Sequence, residues 1–181
     1  MFKIAVIPTD TLYGLVAPAL DPEAVGLVYA LKGRAPEKPC IILISEISEL
    51  FKFGIIPTKA AATFLSKVWP GPVSVVLPCL SEELAYLHRG THSLAFRIPG
   101  EASLRELLQK AGPLIAPSAN PEGQPVAHTI EEARAYFGDK IGEYVDGGFL
   151  DGLPSTLVDF SVSPAKLLRH GRGTVREDEL S

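Results

Sequence analysis

Two cysteines in 181 residues, Cys40 and Cys79, are too few for a disulfide framework. Each sits inside an apolar run, where a lone buried thiol belongs. This excludes the small stapled domains of the secreted world. No run approaches the roughly 20 apolar residues of a membrane span. The first residues, one Lys and a short apolar run entering Pro8-Thr9-Asp10, lack the form of a signal peptide. The chain therefore reads as cytoplasmic, with no membrane partner. A basic excess is missing too: 17 Lys and Arg stand against 21 Asp and Glu, a net charge of −4. Any grip on nucleic acid must then rest on a local patch.

Several standard sites are also absent. There is no G-x-x-x-x-G-K-[ST] and no G-x-G-x-x-G, so a nucleotide would not sit in either usual glycine cradle. His88 and His92 flank Gly90 without any H-E-x-x-H, and no metal site is assigned. No G-x-S-x-G surrounds Ser118, and His128 and His170 have no readable partners, which argues against a serine hydrolase. With no readable nucleophile, the chemistry left is positioning and electrostatic stabilisation of transferring groups.

What is present is an ordinary globular balance, 46% hydrophobic and 21% charged, in a chain of one-domain length. Sixteen prolines imply short, stiff loops. Ile4–Ile7 reads as a buried strand ended by Pro8, which cannot donate to a ladder. The polar stretch Thr9-Asp10-Thr11 then opens a loop through Tyr13 and Gly14 at the strand end, where open α/β sheets bind ligands. Asp21-Pro22-Glu23 starts a helix reaching about Leu31, with Ala24, Leu27, Val28 and Leu31 on one face. It delivers the basic loop Lys32–Pro39. Further strands are expected at Cys40–Ile44, Val73–Leu77, Ser93–Ile98 and Leu114–Ala116. Further helices are expected at Thr58–Val68, Ser81–His88 and Ala102–Ala111, and from the capping box at Thr129–Glu132 to Phe137. Tyr144–Asp146, Ser155–Phe160 and Lys166–Leu168 read as closing strands, and a second capping box at Thr174–Glu177 as a frayed last helix. Strands interleaved with helices make the class α/β. Closing strands without helices between them make the sheet a mixed, open one of parallel and antiparallel strands.

Polar and basic residues gather at the strand-flanking loops: Thr9, Thr11, Lys32, Arg34, Lys38, Arg97, Ser118, Asn120, Ser155, Thr156, Arg169 and Arg172. Three cations within Lys32–Lys38 repel one another unless an anion sits among them. A crevice of guanidinium forks, hydroxyls and an amide suits a nucleotide triphosphate or an amino acid carboxylate.

Six segments carry a family resemblance: Pro8-Thr9-Asp10-Thr11-Leu12-Tyr13-Gly14-Leu15, Lys32-Gly33-Arg34, Arg97-Ile98-Pro99, Pro117-Ser118-Ala119-Asn120, Ser155-Thr156-Leu157-Val158-Asp159 and Leu168-Arg169-His170-Gly171. In this order they resemble the YrdC-like family, from about Ile4 to Glu179. The resemblance implies a twisted open sheet with flanking helices and a basic concave face, as one YrdC-like domain over residues 1–181. It implies an L-threonylcarbamoyladenylate synthase, a nucleotidyltransferase combining L-threonine, bicarbonate or CO2, and ATP into threonylcarbamoyl-AMP and pyrophosphate. Mg2+ can accompany the ATP. Downstream threonylcarbamoyl-transferase proteins would then modify tRNA.

Carried over by position, Lys32, Arg34, Lys38, Ser118 and Arg169 would meet ATP, and Thr11, Arg97 and Ser155 would meet threonine. Lys32, Arg34 and Asn120 are the candidates nearest the chemistry. Where many members of the family carry a His and a hydroxyl toward threonine, this chain has Leu43 and Ala116. That leaves a paralogue adenylating a carbamoyl group on another acceptor as one alternative. A non-catalytic module binding double-stranded RNA is the other.

Overall fold

The computed structural model describes residues 3–180. Its strands and α-helices run in the order β1 (Ala5–Pro8), β2 (Tyr13–Pro18), α1 (Pro22–Lys32), β3 (Ile41–Leu43), α2 (Lys59–Val68), β4 (Val73–Pro78), α3 (Ala85–His88), β5 (Ser93–Arg97), α4 (Ala102–Ala111), β6 (Leu114–Ile115), α5 (Ile130–Phe137), β7 (Glu143–Tyr144), β8 (Thr156–Asp159) and β9 (Lys166–Arg169). The strands form one sheet in the order β7-β1-β2-β6-β3-β5-β4-β8-β9. The pairs β1/β7, β3/β5 and β4/β8 are parallel and the other five are antiparallel. The mixed open sheet expected from the sequence is what forms.

The two faces of this sheet are covered unequally. Val6, Leu15, Ile42, Val75, Leu77, Leu94, Phe96 and Val158 point into the main core with Val28 of α1, Phe64 and Leu65 of α2 and Ala133 of α5. On the other face α4 packs: its Leu104 and Leu108 meet Ile7, Val16, Leu43 and Leu114. Among the described residues, the part of that second face over β5, β4 and β8 lines an open cavity instead of packing under a helix. A half-covered face of this kind is where a ligand can lie against the sheet.

Local chemistry explains most element ends. Asp21 caps α1, its Oδ1 accepting from the backbone N of Glu23 at 3.0 Å and of Ala24 at 3.1 Å. Thr58 caps α2 and Thr129 caps α5 in the same way. Gly33 closes α1 in the left-handed conformation, φ +58°, which costs glycine little. The α1 stripe differs from the expected one. Its buried residues are Ala24, Val25, Val28, Tyr29 and Lys32, while Leu27 is 45% exposed. The helix has turned so that Lys32, four residues beyond Val28, goes inside.

Gly26 lies on the solvent side of α1, and a Cβ there would meet nothing within 4 Å. Gly26→Ala is expected to raise stability by about 1 kcal/mol, read as a melting midpoint higher by about 2–4 °C.

Other expectations need correction. The loop after Pro8 is shorter than expected, spanning residues 9–12 at a hairpin tip: Tyr13 and Gly14 already belong to β2, which pairs antiparallel with β1, Ile7 opposite Gly14. Glycine, alanine and proline in Tyr13–Pro18 dilute its strand signal. A long 3-10 segment, Ile47–Phe53, was not anticipated. The expected last helix is one 3-10 turn, Glu177–Leu180; the Glu177 side chain of its capping box lies outside the described residues.

Candidate functional site

Strand alternation builds the site. Along β5, Leu94 and Phe96 enter the core while Ser93, Ala95 and Arg97 face the opposite side. In β4, Val73, Val75 and Leu77 are core residues and Val76 faces the open side. At β8, Val158 is core, and Ser155, Leu157 and Asp159 face outward. These outward residues floor a cavity of about 360 Å³. Its walls come from the hairpin tip (Thr9, Thr11, Leu12), the segment after α1 (Arg34, Pro39, Cys40), the loop after β6 (Ala116, Pro117, Ser118) and the end of β9 (Leu168, Arg169). The cavity thus has the open sheet face as its floor and residues at the strand ends as its walls.

The hairpin tip is self-braced. Thr9 Oγ1 donates to the Leu12 carbonyl at 2.7 Å and accepts from the Thr11 and Leu12 backbone N. The Ser118 loop is stitched onto β2: Leu15 N donates to Pro117 O at 2.8 Å and Ala119 N to Tyr13 O at 2.7 Å. Tyr13 anchors the other flank, its hydroxyl donating to Gly148 O at 2.7 Å.

Arg97 is the electrostatic centre. It is 4% exposed. Its Nη1 donates to Thr11 Oγ1 at 3.1 Å, and its Nη2 lies 3.1 Å from Asp10 Oδ1. Its Nε is buried with no hydrogen-bond partner among the described residues. Burial lowers the Arg97 pKa most, Asp10 raises it, and the like charge of Arg169 lowers it further. Partial burial also lowers that of Arg169, whose Nη2 and Nε donate to Ser155 O at 2.9 and 3.2 Å. Both guanidiniums remain charged at any relevant pH. Two cations that feel each other beside one hollow favour entry of an anion.

Six of the nine residues that the resemblance assigns line this one cavity: Thr11, Arg34, Arg97, Ser118, Ser155 and Arg169. Three do not. Lys32 is 3% exposed, and its Nζ donates to the carbonyl oxygens of Ser118 (2.5 Å) and Asn120. Asn120 accepts from Ser118 Oγ at 2.6 Å and donates to the Pro121 and Gln124 carbonyls. Lys38 is exposed and ion-paired with Glu122. Lys32 and Asn120 therefore shape the Ser118 loop in this state. Leu43 is covered by α4, whereas Ala116 does face the cavity.

Asp10 and Ser74 join the site beyond the residues expected from the sequence. Asp10 ties the hairpin tip to the end of β5, pairing with Arg97 and accepting from Gly100 N at 2.9 Å. Ser74, the one hydroxyl between apolar strand neighbours, bonds Ser155. Of the unassigned histidines, His88 Nδ1 accepts from Gly90 N at 3.2 Å. Among the described residues no group of three or more His, Cys, Asp or Glu side chains could hold a metal.

Lys32 also gives a pH test. Burial, then the charge of Arg34, lowers its pKa from 10.5 to about 8. Between those values the unfolded chain holds the proton and the folded chain releases it. The contribution of this group to stability therefore rises with pH across that window. Against Lys32→Met, wild-type unfolding free energy should gain steadily from pH 8 to 10.5 in denaturant titrations. A flat difference would mean an ordinary pKa.

Comparison with known proteins places this geometry. The family model for Sua5, YciO and YrdC proteins, described as telomere recombination, matches residues 3–171. A threonylcarbamoyl-AMP synthase of Bacillus subtilis is 34% identical over 181 residues, covering 98% of this chain and 52% of that protein. A putative threonylcarbamoyl-AMP synthase of Mycobacterium leprae is 34% identical over 173 residues, 93% of this chain and 77% of that one. The crystal structure of Pyrococcus abyssi Sua5 complexed with L-threonine superposes with a TM-score of 0.87 at 34% identity, over 93% of this chain and 50% of that chain. The chain thus spans about half the length of the Bacillus and Pyrococcus relatives. No helix among the described residues is long and apolar enough to cross a membrane. With its sheet order, its arginine-lined face and a family match over nearly its whole length, the chain belongs to the Sua5/YciO/YrdC family.

Proposed function

We propose that the chain is an L-threonylcarbamoyladenylate synthase acting in the cytoplasm, forming threonylcarbamoyl-AMP and pyrophosphate from L-threonine, bicarbonate or CO2, and ATP. The observation that carries this is the convergence of Arg34, Arg97 and Arg169 on one hollow. The names of the relatives and the threonine in the Pyrococcus structure add support.

In this reading Arg97 holds the amino acid carboxylate with its fork, beside the Thr11 and Ser155 hydroxyls. Arg34, Ser118 and Arg169 meet the nucleotide. Lys32 and Asn120 keep the Ser118 loop in place, and Lys38 contributes charge at the rim. The threonine amine adds to CO2 and loses a proton, giving a carbamate. A carbamate oxygen bonds to the α-phosphorus of ATP, and the bond from that phosphorus to the bridging oxygen breaks, releasing pyrophosphate. Negative charge builds on the leaving group, where fixed guanidiniums stabilise it without reorganising. A Mg2+ accompanying ATP would be held by phosphate oxygens, as Mg2+ commonly is, since among the described residues no cluster of protein ligands gathers.

The product is a reactive mixed anhydride, so a transferase must consume it promptly, and a tRNA adenosine is the proposed destination. A non-catalytic RNA-binding role is less well supported: Arg97 turns inward and Lys38 is engaged by Glu122.

The test is pyrophosphate release from ATP with each substrate omitted in turn. Release requiring both threonine and bicarbonate is expected. Release indifferent to threonine would overturn the acceptor assignment.

A further inference from the structure

Ser74 has no packing reason to be a serine. It is 0% exposed in β4, between the core residues Val73 and Val75, and it lies in register with Leu157. Alanine would occupy the same place without a hydroxyl to desolvate. The Ser74 hydroxyl has one partner among the described residues, Ser155 Oγ at 2.8 Å.

Ser155 lines the cavity, and its Oγ also lies 3.4 Å from Arg169 Nη2. Arginine can only donate, so it takes one lone pair of that oxygen. The proton between the two serines decides the rest. If Ser155 donated to Ser74, the Ser74 hydrogen would be buried with nothing to accept it. If Ser74 donates to Ser155, that hydrogen is satisfied and the second lone pair of Ser155 Oγ is filled. Buried donors are left unpaired less readily than acceptors are, so the second arrangement prevails. The hydrogen of Ser155 must then turn to the one side still open, the cavity.

We infer that Ser74 is a positioning residue: through one buried hydrogen bond it fixes the Ser155 hydroxyl as a donor aimed at an oxygen of the bound acid substrate. This rests on the proposed synthase reading, and the substrate oxygen is that of a carboxylate or carbamate. Arg169 reinforces the arrangement, because its charge drives any donor hydrogen on Ser155 away from itself. Without Ser74, one lone pair of Ser155 stays open and its hydroxyl rotates freely.

Steady-state kinetics on Ser74→Ala, Ser74→Thr, Ser155→Ala and the double Ala variant test this, with melting midpoints measured alongside. Ser74→Ala should lose roughly tenfold in kcat/KM for the amino acid, the equivalent of one hydrogen bond. Its ATP KM and melting midpoint should stay near the wild-type values. Ser74→Thr should recover most of the loss. In the Ser155→Ala background, Ser74→Ala should have no further effect. A merely structural Ser74 would instead lower the midpoint and subtract independently of Ser155. That outcome, or an unchanged kcat/KM in Ser74→Ala, overturns the inference while leaving the synthase reading intact. Failure of the wild type to need any amino acid overturns both.

Discussion

Arg97→Lys is expected to lower kcat/KM for the amino acid by about 10²- to 10³-fold while the chain still folds. Lysine keeps a positive charge opposite Asp10, so the Arg97–Asp10 ion pair has a substitute. It cannot reproduce the fork that meets two carboxylate oxygens at once. Arg97→Ala makes the contrast. It leaves the Asp10 carboxylate facing a desolvated hollow without its partner, a change that costs about 3–5 kcal/mol when the pair is buried. The Lys variant should therefore separate recognition from stability: near wild-type melting, with the loss concentrated in amino acid KM and kcat. If Arg97→Lys turned over normally, Arg97 would be a structural cation and the carboxylate would be held elsewhere.

Gly171→Ala is expected to be the most damaging single methyl in the chain. A Cβ at Gly171 would fall on the Pro154 carbonyl oxygen and stand 2.5 Å from the Ser155 carbonyl carbon. Those are backbone atoms, which cannot swing aside as a side-chain end can. The segment is pinned on both sides as well, with Gly171 N donating to Thr156 Oγ1 at 3.0 Å and Arg172 N to Pro154 O at 2.8 Å. Relieving the clash must move β9 off β8 and carry Arg169 away from Ser155. We expect about 3 kcal/mol of lost stability, a melting midpoint lower by roughly 6–12 °C, and a fall in turnover larger than the unfolded fraction explains. Gly26→Ala, with open space around its Cβ, is the matched control.

Arg97 also shows how much of the site is legible in the sequence. Arg97 could be read because β5 alternates: Ser93, Ala95 and Arg97 share one side, Leu94 and Phe96 the other. Its place beside Thr11, Ser155 and Arg169 could not be read from alternation, since those residues come from strands far apart in the chain. The ordered segments of the family resemblance supplied that grouping. Lys32, which the resemblance places beside the ATP, is buried behind the Ser118 loop. Its spacing, four beyond Val28 and eight beyond Ala24, already put it on the buried stripe. The hidden strand β2 lacks the β-branched density that marks strands, and its place is set by pairing with β1 and β6. Ser74 is visible only once β4 and the residue before β8 are neighbours. The loops at the strand ends could be expected, but the floor on the open sheet face could not: α4 covers only part of that face, and how far a helix reaches over a sheet is a tertiary fact.

Ala116 leaves the cavity wall without a hydroxyl at that position, while Leu43 lies under α4 away from the cavity, which makes the identity of the proposed acceptor the sharpest question. The direct measurement is mass spectrometry of the adenylate formed when the chain is incubated with ATP, labelled bicarbonate and an equimolar mixture of amino acids. One labelled product with the mass of threonylcarbamoyl-AMP, formed in step with pyrophosphate and lost in Arg97→Lys, is the predicted result. An adenylate carrying a different amino acid, or none carrying the bicarbonate label, would contradict it.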